Sequence, residues 1–116
     1  MTIRDIKNLL SARILCGEDQ LDREVNTACG ADMMSDVLAF VKDQAVLLTG
    51  LCNPQVVRTA EMMDIICICF VRGKMPDDVM ISLAEGKDIV LMSTDIKMFE
   101  ACGTLYVKGL HGGGSN

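Results

Sequence analysis

The fold is decided by the stretch at residues 45–63, AVLLTGLCNPQVVRTAEMM. Its first five residues form a short, continuous apolar run, which is typical of a strand covered on both faces. Asn53 stands where a helix N-cap is expected, and Pro54 suits the first helical position because its fixed φ and missing N–H do no harm there. The stretch therefore predicts a strand, a tight turn and a helix. The apolar stripe of that helix consists of Val56, Val57, Ala60 and Met63.

The same plan follows twice more along the chain. The run IICICFV at 65–71 precedes RGKMPDD and a second helix, in which Asp77 and Asp78 suit the positive N-terminal end and Gly86 suits the C-terminal end. The run IVLM at 89–92 precedes Ser93-Thr94-Asp95, which we expect to cap a third helix. The predicted apolar stripes are Val79, Met80, Leu83 and Ala84 in the second helix, and Ile96, Phe99, Cys102 and Tyr106 in the third.

Three successive strand-helix units about 22 residues apart imply right-handed crossovers and a mainly parallel sheet. The predicted fold class is therefore α/β. Residues 1–110 are expected to form one domain, and the Gly-rich segment HGGGSN at 111–116 is expected to be a flexible tail because it has nothing to bury.

The N-terminal part carries weaker signals. Thr2 and Asp5 form a capping-box pattern, which predicts a first helix over about residues 3–11. ARILC at 12–16 has strand character, and residues 24–33, in which Val25, Thr27 and Cys29 alternate with polar or small residues, predict a second strand. A short helix is expected to begin at Ser35 and Asp36 and to bury Val37, Leu38 and Val41 on one side.

Composition excludes several classes of protein. The net charge is −5, with 16 acidic residues against 11 scattered basic ones, and aromatic residues are few, so nucleic-acid binding is not predicted. The N-terminus has no apolar signal region, and the longest apolar run has seven residues, far short of a membrane helix, so a cytoplasmic protein is expected. Six cysteines contain no C-x-x-C pair, which argues against zinc ribbons.

In an open parallel sheet, ligands bind beyond the carboxyl ends of the strands, where helix N-termini present free N–H groups. This rule places the turns that follow the three predicted strands at one edge of the sheet. It predicts a site there for an anionic or nucleotide-like ligand. The candidate ligand-binding residues are Thr49, Gly50, Asn53, Arg72, Gly73, Ser93 and Thr94. Neither GxGxxG nor GxxxxGK[ST] is present, and each residue also has a simpler explanation in a turn or a helix cap.

Other candidates for chemistry have plain structural explanations. Cys67 and Cys69 share one face of a strand and could bind a soft metal, but buried cysteines commonly act as small apolar residues. The acidic pairs Asp77/Asp78 and Asp32/Asp36 could hold a hard cation, but helix starts use acids as well. His111, the single histidine, lies in the tail, so Ser-His or Cys-His catalysis is not predicted; no catalytic residue, cofactor or metal site is assigned.

The methionines carry one further expectation. Met33/Met34 and Met62/Met63 are neighbouring pairs, and neighbours on a helix cannot both face inward on one stripe. Some of the nine methionines are therefore expected at a protein interface.

Two long segments carry a family resemblance: VLLTGLCNPQVVRTAEMMDIICICFVRGKMPDD at 46–78 and LMSTDIKMFEACGTLYVKGL at 91–110. Together with LDREV and SDVL they resemble small stand-alone DRTGG-domain proteins of anaerobic bacteria. The family also occurs fused to CBS domains in pyrophosphatases and in phosphotransacetylase-type proteins, and its fold is similar to the N-terminal domain of the HPr kinase. The positions that give the family its name fall at 51–53 and 71–74, of which Gly73 is retained.

The resemblance implies a non-catalytic α/β regulatory module that tends to homodimerise. It also implies a redox or signalling setting, because small members are often encoded near iron-only hydrogenase and histidine-kinase-like genes. The leading hypothesis is a ligand-sensing homodimer. A structural interaction partner of a hydrogenase-associated or kinase system is the alternative, and an iron–sulfur or metal carrier is the third.

Overall fold

The computed structural model describes residues 1–40 and 42–113. Five α-helices occur in this part of the chain: α1 Ile3–Leu9, α2 Met34–Val37, α3 Pro54–Met62, α4 Asp78–Gly86 and α5 Met98–Val107. Five strands form one sheet: β1 Arg13–Cys16, β2 Thr27–Gly30, β3 Ala45–Thr49, β4 Ile65–Phe70 and β5 Val90–Ser93. A short 3₁₀ turn, Glu18–Gln20, follows β1.

The sheet has the order β1-β5-β4-β3-β2. Strands β2 to β5 run parallel, and β1 pairs antiparallel with β5 at one edge. The α/β class, the mainly parallel sheet and the three strand-helix units are therefore confirmed. The two early strands are also confirmed, but they lie at opposite edges of the sheet rather than side by side.

Helices cover both faces of the sheet. Strand β3 is buried along its whole length, and its residues alternate between two apolar layers. Val46 and Leu48 pack with α1 and α5, whereas Ala45 and Leu47 pack with α3 and α4. All four residues of the predicted α3 stripe are buried, as expected. Cys67 and Cys69 face the α1/α5 layer together and are fully buried.

Side chains cap two of the helices, α1 through the predicted capping box and α4 through Asp77, which was expected only to suit the positive end of the helix. At α1, the Asp5 amide donates to Thr2 Oγ1 over 3.1 Å, and the Thr2 amide donates to Asp5 Oδ2 over 2.9 Å. The bond from the Thr2 amide is the main reason that the pKa of Asp5 lies below its usual value. This contribution to stability is present above the ordinary carboxyl pKa and is lost as the pH falls through the lowered pKa. At α4, Asp77 Oδ1 accepts from the Met80 amide over 2.9 Å.

Two residues of the predicted helix stripes are exposed rather than buried. Leu38 and Val79 were expected on buried stripes, but their exposed fractions are 48% and 60%. Helix α2 has only four residues and ends at Val37, so Leu38 no longer faces the core; Val41 lies outside the described residues. Helix α4 does end at Gly86, but the left-handed backbone that reverses the chain is at Asp88, with φ +56°.

The third helix starts later and faces differently than predicted. Ser93 is the last residue of β5, and α5 begins only at Met98, after Lys97. The Ser93-Thr94-Asp95 segment therefore caps no helix. The predicted stripe is also wrong, because Phe99 is 84% exposed and Tyr106 is 62% exposed, whereas α5 buries its small and aliphatic side, Ala101 and Leu105.

After α5 the chain turns back along the β2 edge of the sheet. The Ala28 amide donates to the His111 carbonyl over 2.9 Å, and the His111 ring lies 4.4 Å from the Tyr106 ring, centre to centre. Residues 114–116 of the predicted flexible tail lie outside the described residues, and the boundary after residue 110 stays a prediction. No α-helix found in residues 1–40 or 42–113 has the length and apolarity needed to cross a membrane.

Helix α4 should depend measurably on its N-cap. Replacing Asp77 by Ala removes the acceptor for the Met80 amide, and we expect a loss of about 1 kcal/mol, or roughly 4–8 °C in melting temperature for a domain of this size. Asp78→Ala is the matched control, because Asp78 is the first helical residue and contributes only charge near the helix dipole. Equal losses in the two variants by thermal or urea unfolding would contradict the capping assignment.

Candidate functional site

The turns that follow β3, β4 and β5 meet at the carboxyl-end edge of the sheet. The Val71 amide donates to the Thr49 carbonyl over 3.0 Å, which joins the turn after β4 to the end of β3. The Arg72 amide donates to the Ile96 carbonyl over 2.9 Å, and the Gly73 amide donates to the Thr94 carbonyl over 2.8 Å. The structure thus brings the predicted site residues to one edge and holds their backbones together by hydrogen bonds.

The three hydroxyl groups of the predicted site are buried and already have partners. Ser93 Oγ donates to the Lys74 carbonyl over 2.7 Å. Thr94 Oγ1 donates to the Leu10 carbonyl over 2.7 Å and accepts from the Ile96 amide. Thr49 Oγ1 donates to Asp32 Oδ1 over 3.2 Å and accepts from the Leu51 amide. These side chains hold the turns in place and do not face outward toward a ligand.

Asp32 is the residue of this edge that sequence reasoning missed. Its Oδ1 accepts from both the Gly50 amide, over 2.7 Å, and the Thr49 hydroxyl. In the sequence it was considered only as part of a cation pair with Asp36. The usable signal was its position just after β2, because the carboxyl end of a parallel strand must lie at this same edge.

Arg72 supplies the main charge of the site. Its backbone adopts the left-handed conformation, with φ +58°, which is uncommon for a residue with a side chain and costs about 1 kcal/mol or more. Its guanidinium lies over Gly50, so closely that a Cβ on Gly50 would collide with it. Among the described residues, no acidic group comes within ion-pairing distance of this guanidinium.

Glycine is required next to Arg72. Gly73 also has a positive φ, +70°, and a Cβ there would approach Asp95 Oδ1 to 3.2 Å. Two successive left-handed residues produce a tight reversal that leaves the Arg72 side chain exposed above the turn. Gly73 therefore allows the tight turn that the sequence predicted, and a role of the glycines in ligand approach stays a prediction.

Asn53 stands at the N-cap position of α3 but makes no side-chain capping bond. Its Oδ1 is buried and, within the described part of the chain, has no hydrogen-bond partner. The prediction of the N-cap position is confirmed, whereas the expected capping bond is absent from this structure. A buried polar atom without a partner is costly, so this oxygen has unused capacity to accept a hydrogen bond from a donor group at the start of α3.

The cysteines are poorly suited to bind metal as thiolates. Burial raises the pKa of Cys67 well above its ordinary value and that of Cys69 to about 12. Burial also raises the pKa of Cys52, opposed in part by the positive charge of Lys74. Across residues 1–40 and 42–113, no group of three or more His, Cys, Asp or Glu side chains is arranged to hold a metal ion.

A cavity lies away from this edge, between α5 and the β2 side of the sheet. Its volume is about 120 Å³, and none of the seven predicted site residues lines it. No sequence pattern indicated this cavity, because the cavity forms where the C-terminal segment folds back onto β2. The molecule therefore presents a polar edge that carries Arg72 and Lys74, neither of which has an acidic partner among the described residues, and a separate apolar cavity.

The fold and this edge define an α/β module that presents a cationic turn at the carboxyl ends of its parallel strands. The sequence matches the model of the DRTGG domain over residues 5–105, and the chain therefore belongs to the DRTGG domain family. The resemblance that the sequence motifs indicated is thus confirmed.

A solved structure supports the same fold. The chain is similar to the structure of the CBS and DRTGG domains of the regulatory region of Clostridium perfringens pyrophosphatase, complexed with its activator diadenosine tetraphosphate. The TM-score is 0.73 at 18% sequence identity, and the match covers 90% of this chain and 45% of that one. This chain thus corresponds to less than half of the length of that structure. No curated protein sequence matches the chain.

The hydroxyl of Thr94 should be important for stability. Thr94→Val leaves the buried Leu10 carbonyl without its donor, and we expect a loss of about 1–3 kcal/mol in urea unfolding. Thr59→Val is the matched control, because Thr59 is equally buried and its Oγ1 has no partner in the described part of the chain. That variant should be neutral or more stable; a larger loss at Thr59 than at Thr94 would refute the assignment.

Proposed function

We propose that this chain is a non-catalytic regulatory module that binds a small anionic molecule, such as a nucleotide, at the edge formed by Gly50, Asn53, Arg72 and Gly73, and that it acts as a homodimer. Arg72 attracts the negative charge of the ligand. Gly50 leaves room for the guanidinium above the backbone, Gly73 permits the tight turn beneath it, and the Asn53 amide orients the ligand. Thr49, Ser93 and Thr94 hold the turns.

The observation that carries this proposal is the state of Arg72. Its side chain is exposed, its backbone is held in an unfavourable conformation, and it has no acidic partner among the described residues. The left-handed conformation also occurs at Ser11, Gln44, Asp64 and Asp88, so the exposed charge of Arg72 is the feature that distinguishes this turn. A planar guanidinium beside exposed backbone suits phosphate groups, which accept two parallel hydrogen bonds from it.

The comparison supports the class of ligand. The similar pyrophosphatase region is regulatory and was solved with a dinucleoside polyphosphate activator. A nucleotide polyphosphate is therefore the first ligand to test against this chain. A regulatory role without catalysis also agrees with the side chains at the edge, where the hydroxyl groups are buried and bonded to backbone or to Asp32.

Binding of a polyphosphate should depend on Arg72. We expect diadenosine tetraphosphate, ATP or pyrophosphate to raise the melting temperature of the wild-type chain, and Arg72→Ala to weaken the affinity about tenfold to hundredfold because a charge-assisted hydrogen bond is lost. Isothermal titration calorimetry measures the affinity, and the binding should weaken with added salt.

Arg58→Ala is the control for this experiment, because Arg58 is exposed on α3 and its loss changes the net charge equally. A second variant, Gly50→Ala, keeps the charge but forces the guanidinium to move, so it should also weaken binding. No binding by any phosphate compound in the panel, or equal weakening by Arg58→Ala and Arg72→Ala, would refute the ligand site.

The outer face of α5, formed by Phe99, Gly103, Tyr106 and Val107, is the surface we propose for the homodimer. Phe99 is 84% exposed and Val107 is 82% exposed, which is unusual for large apolar side chains. Phe99, Gly103 and Tyr106 follow helical spacing, and the glycine lets a second helix approach closely. The same face favours a second candidate function, in which α5 binds another protein and the chain is a structural interaction partner.

A single charged substitution on α5 should show whether this helix forms the homodimer contact. Phe99→Glu places a carboxylate in the centre of the proposed contact, so the mass measured by light scattering should fall from that of two chains to that of one. Met62→Glu is the control, because Met62 is also exposed but lies on α3. A wild-type chain that stays monomeric at high concentration would contradict the dimer and favour the interaction with another protein.

A further inference from the structure

The cavity beside α5 is bounded by three parts of the chain. Ala28 and Gly30 of β2 and Leu48 of β3 form its floor, and Cys102, Leu105 and Tyr106 of α5 form one wall. Leu110, His111 and Gly112, which follow α5, close the opposite side. The site is thus built from the sheet edge, the last helix and the segment that follows it.

The chemistry of the lining is apolar and aromatic. Leu48, Leu105 and Leu110 are buried aliphatic side chains, and the ring of Tyr106 faces the ring of His111 at 4.4 Å with an angle of 35° between the ring planes. No carboxylate, lysine or arginine is among the residues that line the cavity. The pocket is open to solvent on one side, and burial of a charged group against its apolar floor is unfavourable because nothing there would replace the water around the charge.

The sulfur atoms add a preference for aromatic rings. Cys102 Sγ lies so close to Gly30 that a Cβ on Gly30 would come within 2.6 Å of the sulfur. The same sulfur lies 3.7 Å from Met98 Sδ. Burial raises the pKa of the Cys102 thiol, so it stays uncharged at neutral pH. Thiol and thioether sulfurs make favourable contacts with the edges of aromatic rings, and ring pairs gain further energy from tilted stacking.

We propose that this cavity binds an uncharged single-ring aromatic molecule of the size of phenol. The volume is about 120 Å³, similar to the apolar cavity of about 150 Å³ that accommodates one benzene molecule in another protein. The ligand places its ring between Leu105 and the Tyr106–His111 pair, with its edge toward the Cys102 sulfur. This site is separate from the Arg72 edge and takes the opposite class of ligand.

Binding there would also fix the C-terminal segment. One wall of the cavity consists of residues 110–112. The hydrogen bond from the Ala28 amide to the His111 carbonyl ties this segment to β2, and the hydrogen bond from the Leu110 amide to the Leu105 carbonyl ties it to α5. A ring in the cavity adds contacts to that wall and so stabilises its attachment to β2. The ligand therefore controls whether the β2 edge is covered, which is a regulatory output that phosphate binding does not supply.

The test is a titration of the ¹⁵N-labelled full chain with phenol, followed by amide chemical shifts. We expect saturable shifts at the amides of Ala28, Leu105 and Leu110, and slower hydrogen exchange at Ala28, with the α4 amides unchanged. The same shifts should occur in Arg72→Ala, so a failure of the phosphate site and a failure of this one are distinguishable. Absence of saturable shifts in the wild-type chain overturns the proposal, whatever the variants do.

A cavity-filling variant provides the second measurement. Ala28→Ile adds three carbon atoms inside the cavity and suits a strand, so it should abolish the phenol shifts while leaving the melting temperature equal or higher. Ala39→Ile, an exposed position outside the sheet, is the matched control and should bind phenol normally. Undiminished phenol shifts in folded Ala28→Ile overturn the proposal.

Discussion

The structure depends on the hydrogen bonds that join the turn after β4 to the backbone after β5. Parallel strands cannot be joined by hairpins, so each must end in a turn that sends the chain to a helix on one face of the sheet. Here the amides of Arg72 and Gly73 bond to the carbonyls of Ile96 and Thr94, and the Thr94 hydroxyl bonds to the Leu10 carbonyl at the end of α1. The last strand, the central strand and the first helix are thus fixed relative to one another.

These bonds also explain the conformation of Arg72. An unfavourable left-handed arginine costs about 1 kcal/mol or more, whereas each buried hydrogen bond contributes a net 0.5–1.5 kcal/mol and leaving its groups unpaired costs more. The two hydrogen bonds that the amides of the turn donate therefore outweigh the strain at φ +58°. The result is a cation fixed above Gly50, where a flexible lysine on an ordinary turn would sample many positions.

Sequence patterns predicted the parts of the fold that depend on local rules. The buried runs of β3, β4 and β5, the capping box of Thr2 and Asp5 and the cap at Asp77 all follow from short-range spacing, and all are present. The site was predicted less completely. The rule for parallel sheets located the edge, but it could not show that Thr49, Ser93 and Thr94 turn inward, since their partners are far away in the sequence.

Helix α5 shows why some faces could not be predicted. Its large apolar residues are exposed, while Ala101 and Leu105 face the sheet. Helical periodicity predicted that Phe99 and Tyr106 would be buried. However, α5 lies so close to β2 that Cys102 Sγ occupies the space beside Gly30. Close packing at that point requires small side chains, and it directs the bulky ones outward.

The edge and the cavity are linked through β3. Leu48 lines the cavity, and its neighbour Thr49 holds the Gly50 turn through Asp32. The two residues are consecutive in β3 and point to opposite faces of the strand, so the two proposed sites share one peptide unit. Both residues are fully buried, and the packing around them leaves little room for either to move alone. Strand β3 is thus the shortest covalent connection between the cavity and the Gly50 backbone beneath Arg72.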